Sequence, residues 1–179
     1  MTSAPSAALT RIDVEVLRRT RRLLGGTPAV PVAQGMSHFG EHALGWMALG
    51  AAGWLSGRRR DEWLTGVVGV VGAHAAGVLV KRVVRRPRPT LPDVPPLVGT
   101  PSRLSFPSAH SCSTAAAAVG FAPMLGAPLM AGTTVAMGLS RVLLGVHYPT
   151  DVLCGAALGS GVALLVRRRL LLSEPGRKS

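Results

Sequence analysis

Apolar and polar positions fall along this chain in blocks of helical length. In residues 9–24, apolar Leu9, Ile12, Val16 and Leu23 recur at helical spacing among arginines. That pattern predicts an amphipathic helix in a membrane surface, its basic face toward headgroups, and it suits equally a helix packed on a bundle. Residues 1–8 read as a flexible start, and Thr27-Pro28 with Pro31 as a break. Five apolar runs follow, at about 41–55 (starting as early as Met36), 63–84, 107–122, 128–144 and 149–166. Each approaches the ~20 residues that a helix needs to cross a bilayer. A proline-rich stretch over 87–106 separates the second run from the third, and a short basic tail closes the chain. Glycine and other small residues recur within the runs, which suits close helix packing in lipid.

The fold expected is therefore all-α: an integral membrane helix bundle of about five transmembrane helices plus an N-terminal amphipathic surface helix. Its organisation is a flexible start and surface helix over 1–27, a transmembrane domain over 28–172 and a basic tail over 173–179. Five crossings put the start of the first run, the end of the second, the start of the third and the link between the last two on one membrane face.

Composition agrees. Of the 179 residues, 47% are apolar, 4% are aromatic and the net charge is +12. The basic clusters Arg58-Arg59-Arg60 and Arg167-Arg168-Arg169 sit at the ends of apolar runs, where membrane helices meet headgroups. A nucleic-acid partner is not expected, because the cations are interrupted by apolar runs and lack stacking aromatics. Cys112 and Cys154 lie in small-residue apolar stretches and read as buried thiols, with no disulfide framework and no metal motif. The first residues are rich in Ser, Ala and Pro and lack a signal-peptide core.

Three clusters on the shared face carry possible chemistry. In Lys81-Arg82-Val83-Val84-Arg85-Arg86-Pro87-Arg88-Pro89, residues Lys81, Arg85 and Arg88 would share one helical face until the prolines end the helix. Such a cluster grips an anion or simply anchors a helix. Pro107-Ser108-Ala109-His110 opens the third run. Proline at a first helical position leaves the next N–H groups free to bind an anion, Ser108 adds a hydroxyl, and His110 can bind or protonate an oxyanion. In Ser140-Arg141 and His147-Tyr148-Pro149-Thr150-Asp151, Pro149 starts a helix and places Asp151 in its first turn, within reach of His147. A carboxylate on Nδ1 would leave Nε2 free as a nucleophile and stabilise the cation formed. The plainer reading is an acidic helix cap beside an interfacial histidine.

The spacing makes the three clusters more specific together. Lys81, six residues, Arg88-Pro89; then Pro107-Ser108-Ala109-His110; then Ser140-Arg141, five residues, His147, three residues, Asp151. This order resembles the tripartite signature of the type 2 phosphatidic acid phosphatase (PAP2) superfamily, which also includes bacterial prenyl-pyrophosphate phosphatases and vanadium haloperoxidases. The resemblance implies a membrane lipid phosphatase that needs no metal or other cofactor. It implies His147 as nucleophile, Asp151 orienting it and His110 as acid and base. It also implies that Lys81, Arg88, Ser108, Ala109 and Arg141 bind the phosphate. Ala109 stands where the family usually has glycine, and the family commonly has six spans.

His38, Glu41 and His42 precede or open the first run, and with Arg85 they are candidates for contacting a substrate headgroup, against a reading as ordinary interfacial polarity. His74 lies two turns deeper than Lys81 and is expected to hydrogen-bond within the bundle. The partners implied are the bilayer and a lipid or polyprenyl phosphate. The arginine-rich, lysine-poor composition suggests a high-GC bacterium, and compact family members there include phosphatases of decaprenylphosphoryl-5-phosphoribose, which becomes the leading substrate expectation. Undecaprenyl pyrophosphate, phosphatidylglycerophosphate and phosphatidic acid are the alternatives, and a catalytically silent lipid-binding scaffold is the alternative of another class. Location in the cell membrane is expected. Discounting catalytic cations, the remaining basic clusters place the site outward by the positive-inside rule.

Overall fold

Seven α-helices and one 3-10 turn carry the regular structure of this computed structural model, which describes residues 7–172. In chain order they are α1 (Ala7–Leu24), α2 (Ala29–Gly40), the 3-10 turn Glu41–Ala43, α3 (Leu44–Leu55), α4 (Arg60–Val84), α5 (Ala109–Leu125), α6 (Ala127–Leu143) and α7 (Pro149–Leu172). The expected flexible start and basic tail fall largely or wholly outside the described residues.

The small-residue pattern explains the packing. α5 is central, packed against α4, α6 and α7. Its Ala115, Ala116 and Ala117 are almost fully buried and Phe121 completely so, which lets the neighbouring backbones come close. At Gly159 of α7 a Cβ would collide with the Cys112 carbonyl of α5, so the contact between these two helices requires glycine there. α4 has Asp61 and Glu62 in its first turn and Lys81 and Arg82 in its last, an order that complements the helix dipole.

The outer surface is apolar. Leu55, Leu64, Leu79, Val83, Leu129, Val135, Leu139 and Leu153 are all more than half exposed. A soluble protein rarely presents so much large apolar surface, whereas a helix bundle in lipid must. By length and composition two helices are sufficient to cross a membrane, over 60–84 and 149–170. α5 and α6, at 17 residues each, are a little shorter.

Three expectations change. Thr27, Pro28 and Pro31 do not break the chain but start α2, because Pro31 lies in its first turn, where no N–H is needed for the helix. The first apolar run is split accordingly: α2 ends at Gly40, and His42 and Ala43, both with positive φ (50° and 62°), turn the chain sharply into α3. Of the two readings of α1 the packed one holds, which is no change: the helix is docked on the bundle, with Leu17 fully buried and Asp13 1% exposed. Pro107 is not the first residue of α5. Ser108 is its N-cap, and the Ser108 side chain accepts from the Ser111 N–H.

Candidate active site

The C-terminal ends of α4 and α6 and the N-terminal ends of α5 and α7 meet at one end of the bundle, as their alternating directions require. They enclose a cavity of about 1020 Å³, ample for a phosphorylated headgroup. Its wall includes Lys81, Arg88, Ala109, His110, Arg141 and His147. These six residues, up to 66 positions apart in sequence, therefore share one space.

His147 is set by the turn between α6 and α7. Gly145 adopts φ 71°, a conformation that favours glycine, and Tyr148 and Pro149 then begin α7. Asp151, at the third helical position, accepts the Tyr148 N–H on Oδ2 at 2.9 Å, the return bond of a capping box. The same oxygen lies 3.6 Å from His147 Nδ1. That is longer than a hydrogen bond but close for an ion–dipole contact. On the other side of the ring, Arg88 Nη1 approaches Nε2 at 3.1 Å. A guanidinium can only donate, so Nε2 holds the lone pair and a neutral His147 carries its proton on Nδ1, toward Asp151. This tautomer aims the nucleophilic nitrogen at the cationic side of the cavity. Burial, reinforced by Arg88 and Lys81 and opposed by Asp151, pushes His147 down to about 4.

The cations are held by carbonyls. Arg88 donates from Nε to Ser102 O at 2.8 Å and from Nη1 to Val146 O at 2.6 Å. Burial pushes it down to about 10. Lys81 Nζ donates to Leu104 O at 3.1 Å. Arg141, 2% exposed, donates to Ser140 Oγ, Ser37 Oγ and Ala33 O.

α2, which the sequence pattern missed, supports the opposite wall. The Ser37 carbonyl accepts from His110 Nε2 at 3.0 Å while its hydroxyl accepts from Arg141 at 2.9 Å. One residue thus orients two others. Gly40 makes room for the ring, since a Cβ there would lie 2.6 Å from His110 Cδ2.

Two sequence candidates sit elsewhere. Arg85 is outside the cavity wall: α4 ends at Val84, and Arg85 is its exposed C-cap with φ 54°, so the expected shared face with Lys81 and Arg88 does not form. Ser108 is fully buried as the cap of α5 and is not on the wall. His38, Glu41 and His42 do line the cavity, and so does His74. The His74 ring lies 6.3 Å from that of His42, and its Nδ1 is buried without a hydrogen-bond partner among the described residues, contrary to the expectation that it would bond within the bundle. Besides Ser37, sequence reasoning missed Asp13. Its only sequence signal was as one of two acidic residues, with Glu15, on the otherwise basic α1.

Comparison with known proteins places this architecture. The PAP2 superfamily profile matches residues 63–172. A decaprenylphosphoryl-5-phosphoribose phosphatase of Mycolicibacterium smegmatis is 54% identical over 142 residues, 78% of this chain and 79% of the relative. One of Mycobacterium tuberculosis is 48% identical over 158 residues, 87% and 89% of the two chains. The crystal structure of a transmembrane PAP2-type phosphatidylglycerolphosphate phosphatase from Bacillus subtilis superimposes with a TM-score of 0.79 at 26% identity, covering 96% of this chain and 90% of the other. This chain belongs to the PAP2 superfamily. It is a membrane phosphatase of the PAP2 type.

Proposed function

We propose that this protein removes the phosphate from a lipid-linked phosphomonoester, with decaprenylphosphoryl-5-phosphoribose as the leading substrate. The observation that carries the reading is the setting of His147, with Nδ1 toward Asp151 and the Nε2 lone pair facing Arg88 on the cavity side. The named relatives at 54% and 48% identity support the particular substrate.

In the first step the Nε2–phosphorus bond forms and the ester P–O bond breaks. The departing alkoxide takes a proton from His110, and Asp151 stabilises the cationic ring. In the second step His110 takes a proton from water, the oxygen bonds phosphorus and the N–P bond breaks. Lys81, Arg88, Arg141 and the Ala109 and His110 amides at the start of α5 neutralise the phosphoryl oxygens. Ser108 contributes by capping α5 and so aiming those amides. His38, Glu41, His42 and His74 are assigned to the headgroup, where imidazole and carboxylate suit sugar hydroxyls.

The catalytic unit in this reading is 28–172, since Ser37 on α2 supports His110 and Arg141. The chain crosses the membrane about five times with the site facing outward. Single cysteines at Pro95 and Gly57, in a background lacking Cys112 and Cys154, test this: a membrane-impermeant thiol reagent on intact cells should label the first and not the second.

The deciding experiment is phosphate release from a panel: decaprenylphosphoryl-5-phosphoribose, undecaprenyl pyrophosphate, phosphatidylglycerophosphate and phosphatidic acid. Highest kcat/KM on the first is expected. Equal turnover of all four would reject a sugar-specific site, and turnover of none would leave a lipid-binding scaffold.

A further inference from the structure

Asp151 is fully buried, and its two oxygens face different partners. Oδ2 takes the Tyr148 N–H and faces His147. Oδ1 accepts from Arg86 Nη1 at 2.8 Å. The other arm of that guanidinium, Nη2, donates at 2.8 Å to Oδ2 of Asp13, on α1. Asp13 also accepts the Thr150 N–H at 3.0 Å and the Thr150 hydroxyl at 2.6 Å, while Arg86 Nη1 reaches Thr150 Oγ1 at 2.7 Å. The Tyr148 ring covers Arg86, 4.1 Å from its central carbon. The side chains of Arg86, Asp13 and Asp151 are 15%, 2% and 0% exposed, so this chain of contacts is sequestered from solvent.

A guanidinium facing one carboxylate tends to grip both of its oxygens in a two-pronged pair. For Arg86 and Asp151, that grip would draw Oδ2 away from His147. Asp13 occupies the second prong, so Arg86 holds Asp151 by Oδ1 alone. Two carboxylates also share one guanidinium, which leaves net negative charge in a weakly screened region. That charge is what an imidazole requires when it becomes cationic on bonding phosphorus.

We infer that Asp13, acting through Arg86, is a positioning residue for Asp151, so that the N-terminal helix completes the catalytic apparatus. Asp13 lies outside the 63–172 stretch matched by the family profile, and neither Asp13 nor Arg86 belongs to the motif residues identified from sequence. The inference rests on the assignment of His147 and Asp151 as the reacting pair.

The test uses the full chain in detergent micelles with a polyprenyl monophosphate. Asp13→Asn should lower kcat about tenfold with KM changed by less than about twofold, as for a misaimed reacting group. Asp13→Glu should recover part of the loss. In an Asp151→Asn background, adding Asp13→Asn should change kcat by less than about twofold, because the route through Asp151 is already cut. Arg86→Lys, which lacks the fork, reads the same coupling from the other side and serves if Asp13→Asn does not fold. Leu17→Ala, which loosens α1 without touching charge, should lower the melting temperature and keep kcat.

Multiplicative losses for the two aspartate substitutions, or a loss in Leu17→Ala equal to that in Asp13→Asn, would overturn the positioning role. A His147→Ala variant with full turnover would instead overturn the underlying assignment, and that result shows in a different protein.

Discussion

Arg88 Nη1 sits 3.1 Å from Nε2 of His147, so a cation occupies the direction from which a phosphoryl group would arrive. The contact orders the ring before substrate binds. It also requires that an incoming phosphoryl oxygen take over the guanidinium and release the lone pair. A phosphomonoester dianion makes that exchange favourable, since a guanidinium bond to an anion replaces a guanidinium bond to a neutral ring.

Replacing His147 by Ala removes the atom assigned to bond phosphorus. Turnover should fall by about a thousandfold or more, with the remainder due to binding and charge. Rapid acid-free quench with ³²P-labelled substrate should trap an alkali-stable phosphoprotein in the wild type and none in the variant.

Stability should fall with acid in a window set by His147. Its folded pKa is depressed, to about 4, mainly by burial. The unfolded imidazole titrates near 6.5, so between about 6.5 and 4 the unfolded chain binds a proton that the folded chain refuses. This contribution is at its full value above the unfolded pKa and is lost progressively as pH falls toward 4. The melting temperature should drop across that window, and less so in His147→Gln. Arg88→Ala removes a neighbour that disfavours the cation, so it should raise the His147 pKa, as read by histidine NMR in micelles.

Turnover should survive chelation. Lys81, Arg88 and Arg141 line the cavity and supply the positive charge that a divalent ion supplies in other phosphoryl-transfer sites. Phosphate release in excess EDTA should stay within about twofold of the untreated rate, because the charges that stabilise the transition state are covalently part of the chain. Abolition by EDTA with recovery on adding Mg²⁺ would reject this mechanism.

Gly40→Ala tests the support from α2. Its Cβ would come within 2.6 Å of the His110 ring. The ring must shift from the Ser37 carbonyl, and turnover should fall at least about tenfold, as displacement of a catalytic group by about an ångström does. A circular-dichroism spectrum and melting temperature close to wild type would assign the loss to the site rather than to the fold.

The parts legible in the sequence were those governed by local rules. Helical length and apolarity located α4 through α6 to within about three residues and the start of α7, whose C-terminal end lies six residues beyond the expected one, since bilayer thickness and helix rise act on contiguous stretches. Pro149 followed by Asp151 announced a helix start with a carboxylate in its first turn, because an N-terminal turn has unpaired N–H groups to satisfy. The spacings around Lys81, Arg88, His110, Arg141, His147 and Asp151 marked the candidate site.

What only the tertiary structure decided was which groups meet across helices. Prolines 28 and 31 read as breakers, although within a first turn a proline costs no hydrogen bond, so α2 and the role of Ser37 stayed hidden. Arg85 and Arg86 were indistinguishable as neighbours in a basic run. The left-handed cap at Arg85 turns the chain, so that one arginine faces out and the next is buried between Asp13 and Asp151. Asp13 pairs across 73 residues with Arg86. No local periodicity encodes such a contact, because it depends on how a docked helix is rotated against the bundle, and that rotation follows from packing across the whole interface rather than from the order of residues along the chain.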